Sequence, residues 1–414
     1  MTILIAACTP IARSQSAATA ATPDSGPAPI VTTAFSYTGE VVGDVAGGAR
    51  RGATYTGAAA AQITVALRRI VGWSGLELFV FVLDTHGGAP SDRVGDVQGV
   101  SNLQAPERLR LEELWLQQNV FGNRLSVLAG RYDLNSEFYR LQSAGLFVNS
   151  SFGIGPELAQ SGAAGPSIFP NTSVGARVAL KPSPNVVLRV AVLDGVPVDR
   201  AHGIARLFAP GDGALLVGEA AILERPDSGD ASHNPRFRVG RGVARSYTGK
   251  IAIGAWYYTA RFPDLADTLS TGEAVQHRGS RGAYVIADRI FWSAKNGGPA
   301  SLSAFAQLGL GDSRVNRIGG YAGGGFTFTA PMARRPRDEL GLAIASARTG
   351  SHYERLQIAS GAGASSETTV ELTYLAPFGS WLAVQPDLQY VRHPGNAPGA
   401  RYALVPGLRV ALSH

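Results

Sequence analysis

Charged and hydrogen-bonding side chains recur at alternate positions of otherwise apolar segments, and these residues are best equipped to do chemistry. The candidates are Glu40, Glu77, Glu113, Trp115, Gln117, Arg131, Glu137, Arg177, Arg189, Glu371, Gln385, Asp387 and Arg409. Facing carboxylate and guanidinium groups can replace the hydration shell of a hydroxyl-rich or anionic molecule. An aromatic ring such as Trp115 can stack on an apolar molecular face. For any single member of this set, the more ordinary role is an ion pair or hydrogen bond with another side chain that stabilises the fold.

Acid–base catalysis is the alternative chemistry, and two close pairs suggest it: Glu112 with Glu113, and Asp84 with His86. The two carboxylates of a glycosidase lie about 5–9 Å apart on either side of a bond, whereas adjacent strand residues point to opposite faces. The sequence contains no Gly-x-Ser-x-Gly elbow, phosphate-binding loop or His-Glu-x-x-His zinc motif. Loop aspartates such as Asp96 more often cap turns than bind calcium. We therefore expect no catalytic residue, metal or cofactor, and an enzyme is a remote alternative.

A two-residue repeat predicts the elements that position these side chains. In residues 382–391 the apolar positions alternate with Ala383, Gln385, Asp387, Gln389 and Val391, and residues 402–412 repeat the pattern. Successive side chains of a strand point to opposite faces, so each segment has one apolar face and one face of small or polar residues. A closed barrel in lipid explains many such segments, because its outer face meets hydrocarbon and its inner face meets water.

About sixteen segments of this kind follow residue 34, each near the 9–11 residues that a tilted membrane strand needs. They lie near 34–45, 56–67, 76–83, 110–119, 124–132, 173–181, 186–193, 214–224, 247–258, 282–291, 301–310, 320–328, 339–347, 368–375, 382–391 and 402–412. Short connections alternate with long ones, as in outer-membrane barrels, although the return 225–246 is too long for the pattern. The sequence thus predicts an all-β, antiparallel transmembrane barrel of about sixteen strands.

The longest connection, 133–172, is rich in apolar residues, namely Leu146, Phe147, Val148, Phe152, Ile154, Ile168 and Phe169. A long apolar loop is unfavourable in free water. We expect it to fold into the barrel and narrow the pore; the alternative is an extracellular lid. Strand parity places the candidate strand residues on the inner wall, because a basic side chain facing lipid at the midplane costs roughly 2–4 kcal/mol. The parity of Arg131 and of strands 214–224 and 282–291 is ambiguous.

Aromatic residues near strand ends favour a membrane location. They are Trp73, Trp256, Tyr257, Tyr258, Phe291, Trp292, Phe378 and Trp381. Tryptophan and tyrosine concentrate at membrane–water interfaces, so we expect this set to form an interfacial girdle.

The composition agrees with a barrel. Charged residues make up 16% of the 414 residues, below the roughly 25% of ordinary soluble domains. No apolar run reaches the about 20 residues of a spanning helix. The net charge is +6, with lysine only at positions 181, 250 and 295, and no run of charge suggests a nucleic-acid partner.

The N-terminal 30 residues are interpreted as a signal or disordered segment, with the barrel domain over 34–414. Met1–Ala12 is short and apolar, and Ala18-Thr19-Ala20 offers a small-x-small cleavage site. No basic region precedes the stretch, which suggests a start inside the true signal. The single cysteine, Cys8, excludes an internal disulfide, and a lipoprotein cleavage box at Cys8 is the alternative.

Six segments carry a resemblance to a known family. They are 78–88 (LFVFVLDTHGG), 94–102 (VGDVQGVSN), 130–138 (GRYDLNSEF), 149–162 (NSSFGIGPELAQSG), 165–170 (GPSIFP) and 191–197 (AVLDGVP). The chain resembles the carbohydrate-selective porins of the OprB type over about residues 35–414, most densely in 76–197.

The resemblance implies a sixteen-stranded barrel of the bacterial outer membrane that lets sugars diffuse passively, without catalysis or cofactor. The implied partners are sugars as permeating solutes, outer-membrane lipid and the barrel-assembly machinery, for a monomer or a homotrimer. A general or anion-preferring diffusion porin is the alternative function. The chain departs from the usual terminal aromatic residue of such barrels, because it ends Ala411-Leu412-Ser413-His414.

Overall fold

The computed structural model describes residues 30–197, 208–226, 246–295, 298–332, 334–359, 365–397 and 401–413. Sixteen long antiparallel strands form one sheet: β1 Val31–Asp44, β2 Gly52–Ala66, β3 Leu76–Gly87, β4 Arg108–Val120, β5 Leu125–Tyr132, β6 Ser173–Ser183, β7 Val186–Asp194, β8 Ala214–Glu224, β9 Gly249–Thr268, β10 Ala274–Ser293, β11 Ser301–Gly311, β12 Ile318–Thr329, β13 Glu339–Thr349, β14 Ser366–Phe378, β15 Leu382–Arg392 and β16 Tyr402–Ser413. A two-residue strand, Ala46–Gly47, adds to β16.

The sheet closes on itself because β1 pairs with β2 on one side and with β16 on the other. Closure leaves no unpaired strand edge, which a structure surrounded by hydrocarbon requires.

Short helices lie in the connections: α1 Arg68–Val71, α2 Ser91–Val94, α3 Pro156–Ala159 and α4 Ser351–Ala359, with 3₁₀ turns at Leu134–Ser136, Ser143–Leu146, Ser150–Phe152 and Pro394–Asn396. In the described part of the chain, no helix has the length and apolar character needed to cross a membrane.

The two faces of the wall follow the predicted parity. In β7, Leu188, Val190 and Val192 are exposed on the outside, whereas Arg189 and Ala191 between them are buried. β15 repeats the arrangement, with exposed apolar residues outward and Gln385, Asp387 and Gln389 inward. All sixteen predicted strands overlap an observed strand.

The strand ranges 247–258 and 282–291 predicted from the sequence imply a long connection over 259–281. That prediction was wrong, because this stretch is mostly strand. β9 and β10 each run for 20 residues and leave only 269–273 as the turn. The apolar alternation stops after Tyr258, although cross-strand pairing continues at Arg261–Arg278, Phe262–His277 and Pro263–Gln276. This part of the hairpin packs on α4, so apolar patterning could not reveal it.

Two members of the predicted aromatic girdle point into the barrel and not toward the lipid. Trp256 and Tyr258 are 3% and 0% exposed, because they share the inward parity of Ala252 in β9. Trp73, Phe291, Trp292, Phe378 and Trp381 are exposed.

Several expectations fall on residues that the structure does not describe. These are the leader and its cleavage site, Cys8, most of the return 225–246, and His414. The division into a leader segment and a barrel domain therefore stays a prediction.

The exposed apolar side chains of the outer wall should tolerate a basic residue poorly. Leu308 lies in the middle of β11 and is 59% exposed. We expect Leu308→Arg to lower the free energy of unfolding in lipid vesicles by about 2–4 kcal/mol, and Leu308→Met to change it little. A denaturant titration measures both, and equal stability of the two variants would contradict a lipid-facing position.

Candidate functional site

The backbone of segment 133–172 is bonded to carboxylates that lie on the buried face of the barrel wall. The N–H of Tyr139 donates to Glu219 of β8 at 2.9 Å. The N–H groups of Gln142 and Ser143 donate to Asp288 of β10 at 2.8 and 2.9 Å. These contacts fix the first part of the segment against the wall.

The same segment continues along the wall to strands β14 and β15. The N–H groups of Val148 and Asn149 donate to Glu371 of β14 at 2.6 and 2.9 Å. The carbonyl of Leu146 accepts from Gln385 of β15 at 2.8 Å. The segment therefore contacts the wall from β8 to β15.

Apolar side chains of the segment pack against inward-facing aromatic residues. Phe147 lies 4.9 Å from Phe152 and 5.5 Å from Phe305 of β11 between ring centroids. All three are buried. Burying these rings contributes several kilocalories per mole in total, since a fully buried phenylalanine contributes about 1.5–3 kcal/mol.

Glu137 and Arg177 form a fully buried ion pair. Arg177 of β6 donates to Glu137 at 2.7 and 2.9 Å, and both side chains are 0% exposed. Arg177 also donates to Gln117 at 2.7 Å and to Ser126 at 2.8 Å, while Tyr132 donates to Glu137 at 2.6 Å. The two predicted site residues thus meet each other and tie the segment to β4, β5 and β6.

Arg189 belongs to a second buried cluster, centred on Glu219. Arg189 and Lys250 each lie 3.3 Å from one Glu219 carboxylate oxygen, and Tyr284 donates to the other at 2.8 Å. Lys250 also donates to the carbonyl of Arg140 at 2.9 Å. Sequence reasoning missed Glu219 because the parity of its strand was ambiguous.

Glu40 and Arg409 pair across the seam of the barrel. Arg409 donates through Nε to Glu40 at 2.7 Å, and its Nη2 donates to Asn102 at 2.9 Å. Ser101 donates to the other Glu40 oxygen. The side chain of Arg409 keeps 15% of its surface exposed. A second connection, 88–107, is therefore also bonded to the inner wall.

Trp115 does not have the role that the sequence suggested. Its ring is 1% exposed and stacks on Phe79 at 4.8 Å, while its Nε1 donates to Glu113 at 3.1 Å. Glu113 in turn accepts the N–H of Asp133 at 3.2 Å. Burial excludes this ring from stacking on a solute.

The other candidates differ in placement. Asp387 faces inward and accepts from Gln389 at 3.0 Å, and the half-buried Glu77 lies directly opposite Gln117. Arg131 is on the outward parity, opposite Leu114, and donates to Thr172 at 2.8 Å. This candidate, whose parity was ambiguous from the sequence, therefore does not lie on the inner face of the wall, because Gly130 takes the inward position opposite Trp115.

Two carboxyl groups of the connections have raised pKa values. Burial raises the pKa of Glu157, whose carboxylate accepts from Tyr139 at 3.0 Å, to about 7. Burial likewise raises the pKa of Asp96, in the connection between β3 and β4, to about 6. Both carboxyl groups therefore bind their proton more tightly than an exposed carboxyl group does.

Open space remains beside the segment. A small cleft is lined by residues that include Glu137, Arg140, Gln142, Arg189 and Lys250. Gly145 is exposed although Ala144 and Leu146 on either side are buried, and apart from these two neighbours no described residue has an atom within 4 Å of the position that a Cβ would take. Sequence reasoning offered no signal for Gly145.

A family model and several relatives match the chain. The model of the carbohydrate-selective porin, OprB family, covers residues 50–413. Porin B of Pseudomonas aeruginosa is 26% identical over 423 residues, covering 90% of this chain and 85% of that protein. The high-pH structure of Pseudomonas putida OprB has a TM-score of 0.79 at 22% identity, covering 93% of this chain and 94% of that one.

A more distant barrel is also similar. The outer membrane channel DcaP of Acinetobacter baumannii has a TM-score of 0.53 at 12% identity, covering 93% of this chain and 97% of that one. At these identities the structures support the fold alone. The family match, in contrast, spans nearly all of the barrel, so the chain belongs to the carbohydrate-selective porin, OprB, family and is an outer-membrane porin, not an enzyme.

Proposed function

We propose that sugars diffuse passively through the space left beside segment 133–172, and that this segment sets the width of the channel. The observation that carries the proposal is Gly145. Anchors on both sides hold it inside the barrel, Ser143 on Asp288 and Leu146 on Gln385, yet it faces open space.

The charged residues support two separate roles, one set holding segment 133–172 in place and another contacting the solute. Glu137, Arg177, Glu219 and Glu371 are buried and bonded to one another or to the segment. Such groups hold the constriction in place. Arg409 keeps part of its surface exposed, and it is our candidate for a weak contact with sugar hydroxyls. Weak contacts suit a channel, since a tightly held solute would not leave.

An anion-preferring channel is the second candidate. Arg189 and Lys250 share one carboxylate, that of Glu219, and the whole chain carries a net charge of +6. Two cations on one carboxylate would favour anions. A reversal potential near zero in a potassium chloride gradient would argue against it.

The remaining partners stay expectations. The exposed apolar outer wall suits membrane lipid. We expect insertion by the barrel-assembly machinery, as a monomer or a homotrimer.

Selectivity for sugars is tested by liposome swelling. We expect glucose to enter proteoliposomes faster than a polyethylene glycol of equal hydrodynamic size, because hydroxyl groups exchange hydrogen bonds with the polar wall. Equal rates for the two solutes would overturn the sugar-selective proposal, and a sodium chloride control reports general permeability.

A size series at Gly145 tests the constriction. Gly145 has an ordinary backbone conformation and free space around its Cβ position, so substitution should leave the fold intact. We expect Gly145→Trp to lower single-channel conductance and glucose flux severalfold, and Gly145→Ser to lower them slightly. If Gly145→Trp folds and conducts like the wild type, the solute path lies elsewhere.

A double-mutant cycle tests the buried anchor. Glu137→Leu leaves the charge of Arg177 buried without its partner and should cost about 3–5 kcal/mol of unfolding free energy. Adding Arg177→Met should restore part of that loss, because the unpaired charge is removed. Denaturant titration of the two single variants and the double variant gives the coupling, and additive losses would contradict a direct pair.

A further inference from the structure

A cluster of two histidines and two aspartates lies outside the channel interior described above. Asp264 and Asp267 are near the end of β9, His277 is near the start of β10, and His352 is in α4. His277 is directly opposite Phe262, two residues before Asp264, so both side chains lie on one face of the hairpin. Three separate chain segments thus contribute to one point.

Asp264 is the centre of the cluster. Its side chain is 1% exposed, and its Oδ1 accepts the N–H groups of Ala266 and Asp267, both at 2.8 Å. His352 Nδ1 lies 2.8 Å from Oδ1, and His277 Nε2 lies 2.7 Å from Oδ2. Two imidazoles therefore meet opposite oxygens of a single buried carboxylate.

Asp267 supplies a further donor. Its Oδ2 lies 3.9 Å from His352 Nδ1, while its Oδ1 pairs with Arg355 at 3.0 Å. One donor atom each from Asp264, Asp267 and His352 can be chosen so that all lie within 4.8 Å of one another. Half of the Asp267 side chain is exposed, which leaves an approach from solvent.

We propose that Asp264, Asp267 and His352 bind a divalent transition-metal ion such as Zn²⁺, with His277 orienting the Asp264 carboxylate. Zinc bonds of about 2.0–2.2 Å place tetrahedral ligand atoms about 3.3–3.6 Å apart. His352 Nδ1 lies 2.8 and 3.9 Å from oxygens of Asp264 and Asp267, on either side of that value, and one donor atom of each residue lies within 4.8 Å of the others. Metal binding would replace the hydrogen bond between His352 and Asp264 and would need a side-chain adjustment to bring the three atoms to this spacing. A solvent molecule would take the remaining coordination position.

The donor set selects the class of metal. Imidazole nitrogen suits zinc, nickel and copper, whereas calcium and magnesium prefer oxygen ligands alone. His277 supplies the outer hydrogen bond that ligating carboxylates usually receive. Bound metal would clamp α4 onto the β9–β10 hairpin, next to the contact of Ser313 with Ser351 at 3.1 Å.

Calorimetric titration of ZnCl₂ into the tag-free barrel in detergent tests this site. We expect one saturable site in the wild type. His352→Ala and Asp267→Asn should each weaken binding at least tenfold, and His277→Ala should weaken it by about 10–100-fold. His86→Ala is the matched control, because His86 also pairs with an aspartate, Asp84, at 3.0 Å but is outside the cluster; it should bind like the wild type.

A structural readout accompanies the titration. Zn²⁺ should protect the connection around α4 from limited proteolysis, and Co²⁺ should give visible absorption that His352→Ala abolishes. If His352→Ala does not fold, the half-exposed Asp267→Asn decides the question. Absence of saturable Zn²⁺ binding in the wild type, or unchanged binding in folded Asp267→Asn, would overturn the proposal.

Discussion

Irregular backbone inside a barrel must find hydrogen-bond partners, and inward-facing carboxylates supply them here. Glu219, Asp288 and Glu371 each accept backbone N–H groups from the segment 133–172. Glu367 does the same for Val97 and Gln98 of the preceding long connection. A buried N–H without an acceptor is costly, so the position of these acids on the wall determines where each segment can lie.

This pairing explains why so many acidic residues occur on the inner wall of a channel for neutral solutes. A carboxylate that accepts several N–H groups is neutralised in part by their dipoles and is no longer free to bind a solute. Glu371 and Asp288 each accept two backbone donors. The polar character of the inner strand faces is therefore mainly structural, and the solute meets what the segments leave exposed.

The positions of the strands and the direction of their side chains could be predicted from the sequence, because apolar residues must occupy every second position of a strand whose outer face meets lipid. The prediction failed where that constraint ends. Beyond Tyr258 the hairpin no longer carries the apolar alternation. At Arg131 the sequence left the side of the wall ambiguous, and in the structure Gly130 takes the inward position. A register shift between β3 and β4, where Phe81 pairs with Glu113 but Val82 with Leu111, also buries both Glu112 and Glu113. No repeat of two reveals such a bulge.

Contacts between the wall and the connections could not be predicted from the sequence for a different reason. Parity states that Arg177 faces inward, but its partner Glu137 is 40 residues away in irregular chain. Trp115 illustrates the consequence, because its inward position was predicted while its burial depends on what folds over it. Site residues could thus be placed on the wall, although their partners could not be named.

The hydrogen bonds that hold segment 133–172 and the open space beside Gly145 involve different residues, and this difference determines which substitutions can alter the channel. The anchors of segment 133–172 are distributed over strands β4 to β15, so altering any one of them disturbs buried polar groups. Apart from its two chain neighbours, no described residue has an atom within 4 Å of the position that a Cβ of Gly145 would take. If segment 133–172 sets the channel width as proposed, a substitution at Gly145 would change that width without changing the wall, whereas a change in the wall would also move the segment.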